Sequence, residues 1–204
     1  MPTAAGGTLE DEQRYRASAY GLLAALLRAT PEQALLDHLI TLSPESDAQS
    51  DSEPDALAEA MARLADAARK HSPAQIEEEY HNLFIGTGKG EVVPYGSWYL
   101  TGFLMEQPLS DLRDDLRVLG FERSADTREP EDHAAAIFEV ISVMIADASD
   151  IPEQQRFFDN HMKPWLERFF ADLGNARSAD FYKPVAQFGA AFIKLELAYL
   201  SMRS

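Results

Sequence analysis

Apolar residues recur along this chain at three- and four-residue intervals, the spacing of one helical face, from near the start to the end. The clearest run is Phe181, Val185, Phe188, Phe192, Leu195 and Tyr199. Leu22, Leu23, Leu26 and Leu27 mark an early helix over Arg14–Arg28, and Ile137, Ile141, Met144 and Ile145 mark a late one. Thr30-Pro31-Glu32-Gln33 and Ser72-Pro73-Ala74-Gln75 both read as capping boxes with proline at the first helical position. The first opens a face of Leu35, Leu36, Leu39 and Ile40. The second opens one of Ile76, Tyr80, Leu83 and Phe84. Further helices are predicted near Asp55–Lys70, Ser97–Glu106, Leu109–Leu119 and Pro152–Asp172, with Glu129-Pro130 opening the one that carries Ile137. No stretch alternates as a strand does. The prediction is an all-α multi-helix bundle with no sheet.

The breaks between helices are equally legible. Residues 43–55 hold five acids and no base among Ser and Pro, an exposed acidic linker. Gly120 reads as a helix C-cap, and 120–128 as the natural hinge. Residues 1–8 read as a disordered N-terminus and 9–204 as one helical domain, a length that buries roughly 70% of its unfolded surface.

Charge and cysteine content exclude several functions. With 34 acidic and 18 basic residues the formal charge is −16, which repels nucleic acid and favours a basic partner. There is no cysteine, hence no disulfide, zinc thiolate or thiol nucleophile. No apolar run approaches the ~20 residues of a membrane span. Met1–Glu12 has neither the basic start nor the apolar stretch of a signal peptide, so the expected location is the cytoplasm.

Catalytic signals are thin. Gly86-Thr87-Gly88-Lys89-Gly90 resembles a phosphate loop, but Leu83 and Gly90 stand where the Walker pattern needs Gly and Ser or Thr, and the segment follows a helix. Glu78-x-x-His81 has di-iron spacing without a second copy, so His81 reads as a surface histidine and no metal site is expected. No catalytic residue is identified. Two clusters point instead to binding. Pro94-Tyr95-Gly96-Ser97-Trp98-Tyr99 places three aromatic rings at a helix start. Glu129-Pro130-Glu131-Asp132-His133 gathers three acids and a histidine, more than helix capping needs and suited to gripping guanidinium groups.

Together, Tyr80-x-x-Leu83-Phe84, Pro94-Tyr95-x-Ser97, Glu129-Pro130-x-Asp132-His133, His161-x-x-x-Trp165 and Phe181-Tyr182 resemble the TorD/DmsD/NarJ family of redox-enzyme maturation chaperones. The match is spread over Ile76–Leu200, and Glu-Pro-x-Asp-His is its most specific piece. The resemblance implies a TorD-like helical chaperone in the cytoplasm, not an enzyme. Such a protein binds the twin-arginine signal peptide, or the apo form, of a molybdenum-containing oxidoreductase catalytic subunit and assists cofactor insertion before export. It also implies no resident cofactor, with weak guanine-nucleotide binding a property of some members, and a monomer or helix-swapped homodimer. By motif, the partner-binding residues would be Tyr95, Ser97, Trp98, Glu129, Glu131, Asp132 and His133. Many relatives carry glutamate at the position of Gly96, and the form of this segment resembles a subgroup tied to formate-dehydrogenase-type enzymes. The residues leave two other readings open: a helical metal- or nucleotide-dependent enzyme using Glu78 and His81 or the Gly86–Gly90 loop, and an adaptor binding an amphipathic helix.

Overall fold

A computed structural model describes residues 5–42, 56–123 and 129–203. The acidic linker 43–55, residues 124–128 of the expected hinge, and residues 1–4 lie outside them. Ten α-helices carry the described chain: α1 Ala5–Arg28, α2 Gln33–Thr41, α3 Ala56–Lys70, α4 Pro73–Tyr80, α5 Gly96–Thr101, α6 Gln107–Val118, α7 Ala134–Ala146, α8 Ile151–His161, α9 Leu166–Asn175 and α10 Tyr182–Arg203. A single π-helical turn, His81–Ile85, continues α4, and the described residues hold no strand. α1 starts inside the stretch 1–8 that the sequence marks as a disordered N-terminus.

The chain divides into two compact units. One holds residues 1–28, 94–166 and 197–204; the other holds 29–93 and 167–196. No boundary between them falls in 120–128. In the first unit α1 packs along α7. Tyr20 meets Phe138 at 6.0 Å between ring centroids, and Ser142 donates to the Ala17 carbonyl at 2.8 Å. Gly21 sits opposite Ser142, so the two backbones approach closely at that level. In the second unit α2 packs on an alanine-rich face of α3, where Ala60, Leu64, Ala65 and Ala68 are buried along with Leu36 and Leu39 of α2.

Two of the local signals are obeyed as predicted. Ser72 and Gln75 exchange both bonds of the capping box. Gly120, at φ +81°, ends α6, with the Phe121 amide donating to the Leu116 carbonyl at 2.9 Å. Four predictions need correction. Thr30 does not cap α2; Pro31 is buried, and the helix begins after it with Glu32 at an N-cap that has no side-chain bond. α5 stops at Thr101 instead of reaching Glu106, because Gly102 turns left-handed at φ +82°. Pro152–Asp172 is two helices, broken around Met162–Trp165, where Pro164 has no N–H to offer. On α10 Leu195 is 47% exposed while Glu196 is fully buried, so the inward face turns one residue away from the apolar pattern.

Candidate functional site

The helix start predicted at Glu129-Pro130 produces the site. Glu129-Pro130 does not open α7. The helix begins at Ala134, and the acids ahead of it form a turn that locks onto the Pro94–Ser97 segment, both within the first unit. Tyr95 and His133 make an isolated antiparallel bridge: the Gly96 amide donates to the Asp132 carbonyl at 2.9 Å, and the Ala134 amide to the Pro94 carbonyl at 2.8 Å. The Asp132 carboxylate accepts from the Ser97 amide at 2.8 Å and so caps α5 from 35 residues away. Tyr95 donates its hydroxyl to Glu129, and its ring stands edge-on to His133 at 5.1 Å. The two sequence clusters are one structure.

Asp132 and Ser97 line a cavity of about 460 Å³ whose walls carry three more aspartates, Asp111, Asp114 and Asp115, and, among the described residues, no lysine or arginine. Asp132 is 2% exposed, and only one of its oxygens is satisfied. Among the described residues, Asp132 Oδ1 and Ser97 Oγ are buried without a hydrogen-bond partner. A buried carboxylate oxygen left in that state costs on the order of 1–3 kcal/mol or more. His161 holds Asp115 at 2.7 Å, and Trp165 donates Nε1 to the His161 carbonyl at 2.7 Å, one helical turn apart. That bond accounts for the His161-x-x-x-Trp165 spacing. The indole also explains Gly96. A Cβ there would lie 3.2 Å from Trp165 Nε1 and 3.3 Å from Cε2, so a glutamate in this chain would require the ring to move.

The other side of the turn faces a second cavity, of about 510 Å³, lined by Glu129, Glu131 and His133 with Arg28, Arg113, Arg117 and Arg123. These arginines already hold acids. Arg28 pairs with Glu139, Arg113 with Glu131 at 2.8 Å, Arg117 with Asp114 at 2.7 Å, and Arg123 reaches Glu131 at 3.9 Å. Burial opposes the charge on Glu131, but the Arg113 hydrogen bond and the nearby guanidinium groups outweigh it, keeping its pKa below the usual carboxylate value.

His133 is the N-cap of α7, accepting from the Ala135 amide on Nδ1 at 3.1 Å. Burial pulls its pKa down to about 4, against the opposing pull of Glu129 and Asp132 and with help from Arg28. A neutral ring that accepts on Nδ1 carries its proton on Nε2. The folded pKa lies below the unfolded value, so this contribution is complete above pH 6.5 and is lost as the pH falls toward 4. The expected loss is about 3 kcal/mol. His133→Asn keeps an acceptor at the cap and removes the titration. Denaturant unfolding between pH 7 and 4 should show the wild type losing about that much more stability than the variant; parallel curves would refute the assignment.

Of the residues marked in the sequence, Ser97 and Asp132 belong to the acidic cavity, and Glu129, Glu131 and His133 to the arginine-lined one. Tyr95 joins the two segments. Trp98 is half-buried and lines neither cavity; the indole in the lining of the acidic cavity is Trp165, with Tyr99 stacked on it at 5.6 Å. The Gly86–Gly90 loop folds on its own backbone. A Cβ at Gly86 would meet the Lys89 carbonyl oxygen at 2.2 Å and one at Gly90 the Leu83 carbonyl oxygen at 2.4 Å, so these glycines serve the turn. Glu78 and His81 are both exposed, and no cluster of three or more His, Asp or Glu suited to a metal occurs among the described residues. No described helix is long and apolar enough to cross a membrane.

The sequence profile of the nitrate reductase delta subunit family matches residues 50–171, more than half of the chain. The chain belongs to this family. Similar proteins include the chaperone protein TorD of Vibrio atlanticus, 26% identical over 203 residues and covering 91% of this chain and 94% of the relative. The TorD chaperone of Vibrio parahaemolyticus is 27% identical over 158 residues, covering 72% and 73%. A solved structure described as a redox enzyme maturation protein from Archaeoglobus fulgidus matches the fold with a TM-score of 0.55, covering 89% of this chain and 93% of that one at 18% identity. This nitrate reductase delta-type chain is thus a maturation chaperone of the TorD/NarJ type and not an enzyme.

Its motifs fall into two sets. Pro94–Ser97, Glu129–His133 and His161–Trp165 build the acidic cavity in the first unit. Tyr80–Phe84 and Phe181–Tyr182 sit in the second, where the Glu79 carboxylate accepts from the amides of Asp180, Phe181 and Tyr182 at 2.8, 3.0 and 2.8 Å. Sequence reading missed Glu79. Its signal was faint: Glu79 lies three residues after Ile76 and four before Leu83, on the apolar face of α4 and its π-helical continuation.

Proposed function

We propose that this chaperone grips an arginine of the twin-arginine signal peptide of a molybdenum-containing oxidoreductase subunit in the cavity lined by Asp132 and Ser97, holding the subunit in the cytoplasm until its cofactor is in place. The observation that carries this reading is the buried Asp132 oxygen with no partner beside an equally unpartnered Ser97 hydroxyl, in a cavity that, among the described residues, is lined by four aspartates and by no lysine or arginine, with Asp114 paired to Arg117 and Asp115 to His161. A guanidinium supplies five donors in a planar fork and is weakly hydrated, so it suits a buried carboxylate better than an ammonium does. The chain's charge of −16 steers a cationic leader toward it.

The test is calorimetric titration with three synthetic leaders that differ only at the arginine pair: Arg-Arg, Lys-Lys and Ala-Ala. The expected order is Arg-Arg tightest, by about tenfold or more over Ala-Ala, with affinity falling as salt rises. Equal affinity for Arg-Arg and Ala-Ala would end the reading. Capture from cells then checks the client class: the retained protein should be a subunit that carries molybdopterin.

A further inference from the structure

The arginine-lined cavity plays no part in the function proposed above, and it shares no lining residue with the acidic one. All of its walls belong to the first unit. Its volume of about 510 Å³ lies in the range of small-molecule pockets. Leu116, Phe121, Ala136 and Val140 give it an apolar side. Its polar side offers donors. His133 is 8% exposed, and its Nδ1 is taken by the Ala135 amide. The Nε2 proton of the neutral ring has no acceptor among the described residues, and a buried donor in that state is costly. Arg113 gives Nε and Nη2 to Glu131, and Arg117 gives Nη1 to Asp114, so each guanidinium keeps further N–H donors.

Charge sets the class of the ligand. Four arginines face three glutamates, Glu122, Glu129 and Glu131, so the lining carries a single excess positive charge. One carboxylate balances it. A di- or triphosphate would bring several negative charges up against the same glutamates, and an amine would meet the guanidinium groups. We infer that this cavity binds a small organic monocarboxylate with an apolar body, the carboxylate accepting from His133 Nε2–H and the Arg113 guanidinium and the body lying against Phe121, Ala136 and Val140. The inference stands independently of the arginine grip at Asp132.

The probe is 2-naphthoate, titrated calorimetrically beside 2-naphthamide and 2-naphthylmethylammonium, which keep the ring system and change the charge of the head. Naphthoate should bind at one site per chain, about tenfold or more tighter than either of the others. Arg113→Gln changes an exposed residue and should weaken naphthoate about tenfold while leaving naphthamide as it was. Ala136→Phe fills the apolar side from a half-buried position and should remove naphthoate binding. Thermal unfolding checks that both variants fold; if Ala136→Phe does not, Arg113→Gln decides alone. Equal binding of the three probes overturns the inference, because the cavity then reads only the apolar body. Naphthoate affinity unchanged in the folded variants places the probe elsewhere and overturns it too. So does the absence of saturable naphthoate binding up to about 1 mM. GDP that binds more tightly than naphthoate, and loses affinity with Arg113→Gln, would make the cavity a nucleotide site and overturn the monocarboxylate.

Discussion

Glu79→Ala should destabilise the protein by on the order of 3–5 kcal/mol, the largest effect expected of any single substitution considered. The carboxylate is 7% exposed and accepts three consecutive backbone amides at the start of α10, at 2.8–3.0 Å. Hydrogen bonds to a charged acceptor are worth about 1.5–3 kcal/mol each, and a buried donor left without one costs a comparable amount. The Phe181 and Tyr182 amides are buried, whereas the Asp180 amide is only partly so and water can replace its partner. The negative charge also sits at the positive end of a 22-residue helix. Glu79→Gln keeps one acceptor oxygen and should cost roughly half as much. Urea unfolding of the three proteins measures the series. A loss below about 1 kcal/mol for Glu79→Ala would mean that the amides find other partners.

Asp132→Asn should weaken binding of an Arg-Arg leader about ten- to a hundredfold and leave stability nearly unchanged. The amide oxygen can still accept from the Ser97 amide and cap α5, but the side chain no longer offers a charge to a guanidinium. The range corresponds to the roughly 1.5–3 kcal/mol of a charge-assisted hydrogen bond. Asp132→Ala should lose the same affinity and also destabilise by about 1–3 kcal/mol, because the buried Ser97 amide is stranded. The contrast between the two variants separates a gripping role from a merely structural one. If Asp132→Asn binds the Arg-Arg leader as wild type does, Asp132 is only the cap of α5, and the acidic cavity needs another occupant.

Much of what depends on residues within one turn of each other was legible in the sequence, the Thr30 capping box and the stop at Gly102 excepted. The helix faces are of this kind: Leu22, Leu23, Leu26 and Leu27 of α1, and Ile137, Ile141, Met144 and Ile145 of α7, are buried as their spacing predicts. So are the Ser72 capping box and the glycine stop at Gly120, because the bonding partners lie three to five residues apart along the chain. The pairing of the two binding clusters was not legible. Local rules give the acids of Glu129–Asp132 to the start of their own helix, where they would meet its dipole. Instead Asp132 caps α5, Glu129 takes the Tyr95 hydroxyl, Glu131 holds Arg113, and the cap of α7 falls to His133. Trp98 and Trp165 could not be told apart as walls of a site, since which indole faces Asp132 depends on where α8 ends.

The sequence by itself determined the helices, most of their ends and the residues of the two clusters, because these follow from short-range backbone hydrogen bonding and apolar periodicity. Only the tertiary structure decided that one oxygen of Asp132 is committed to Ser97 and the other left buried without a partner. That choice depends on a contact across 35 residues, and no local rule assigns a carboxylate to a helix so far along the chain.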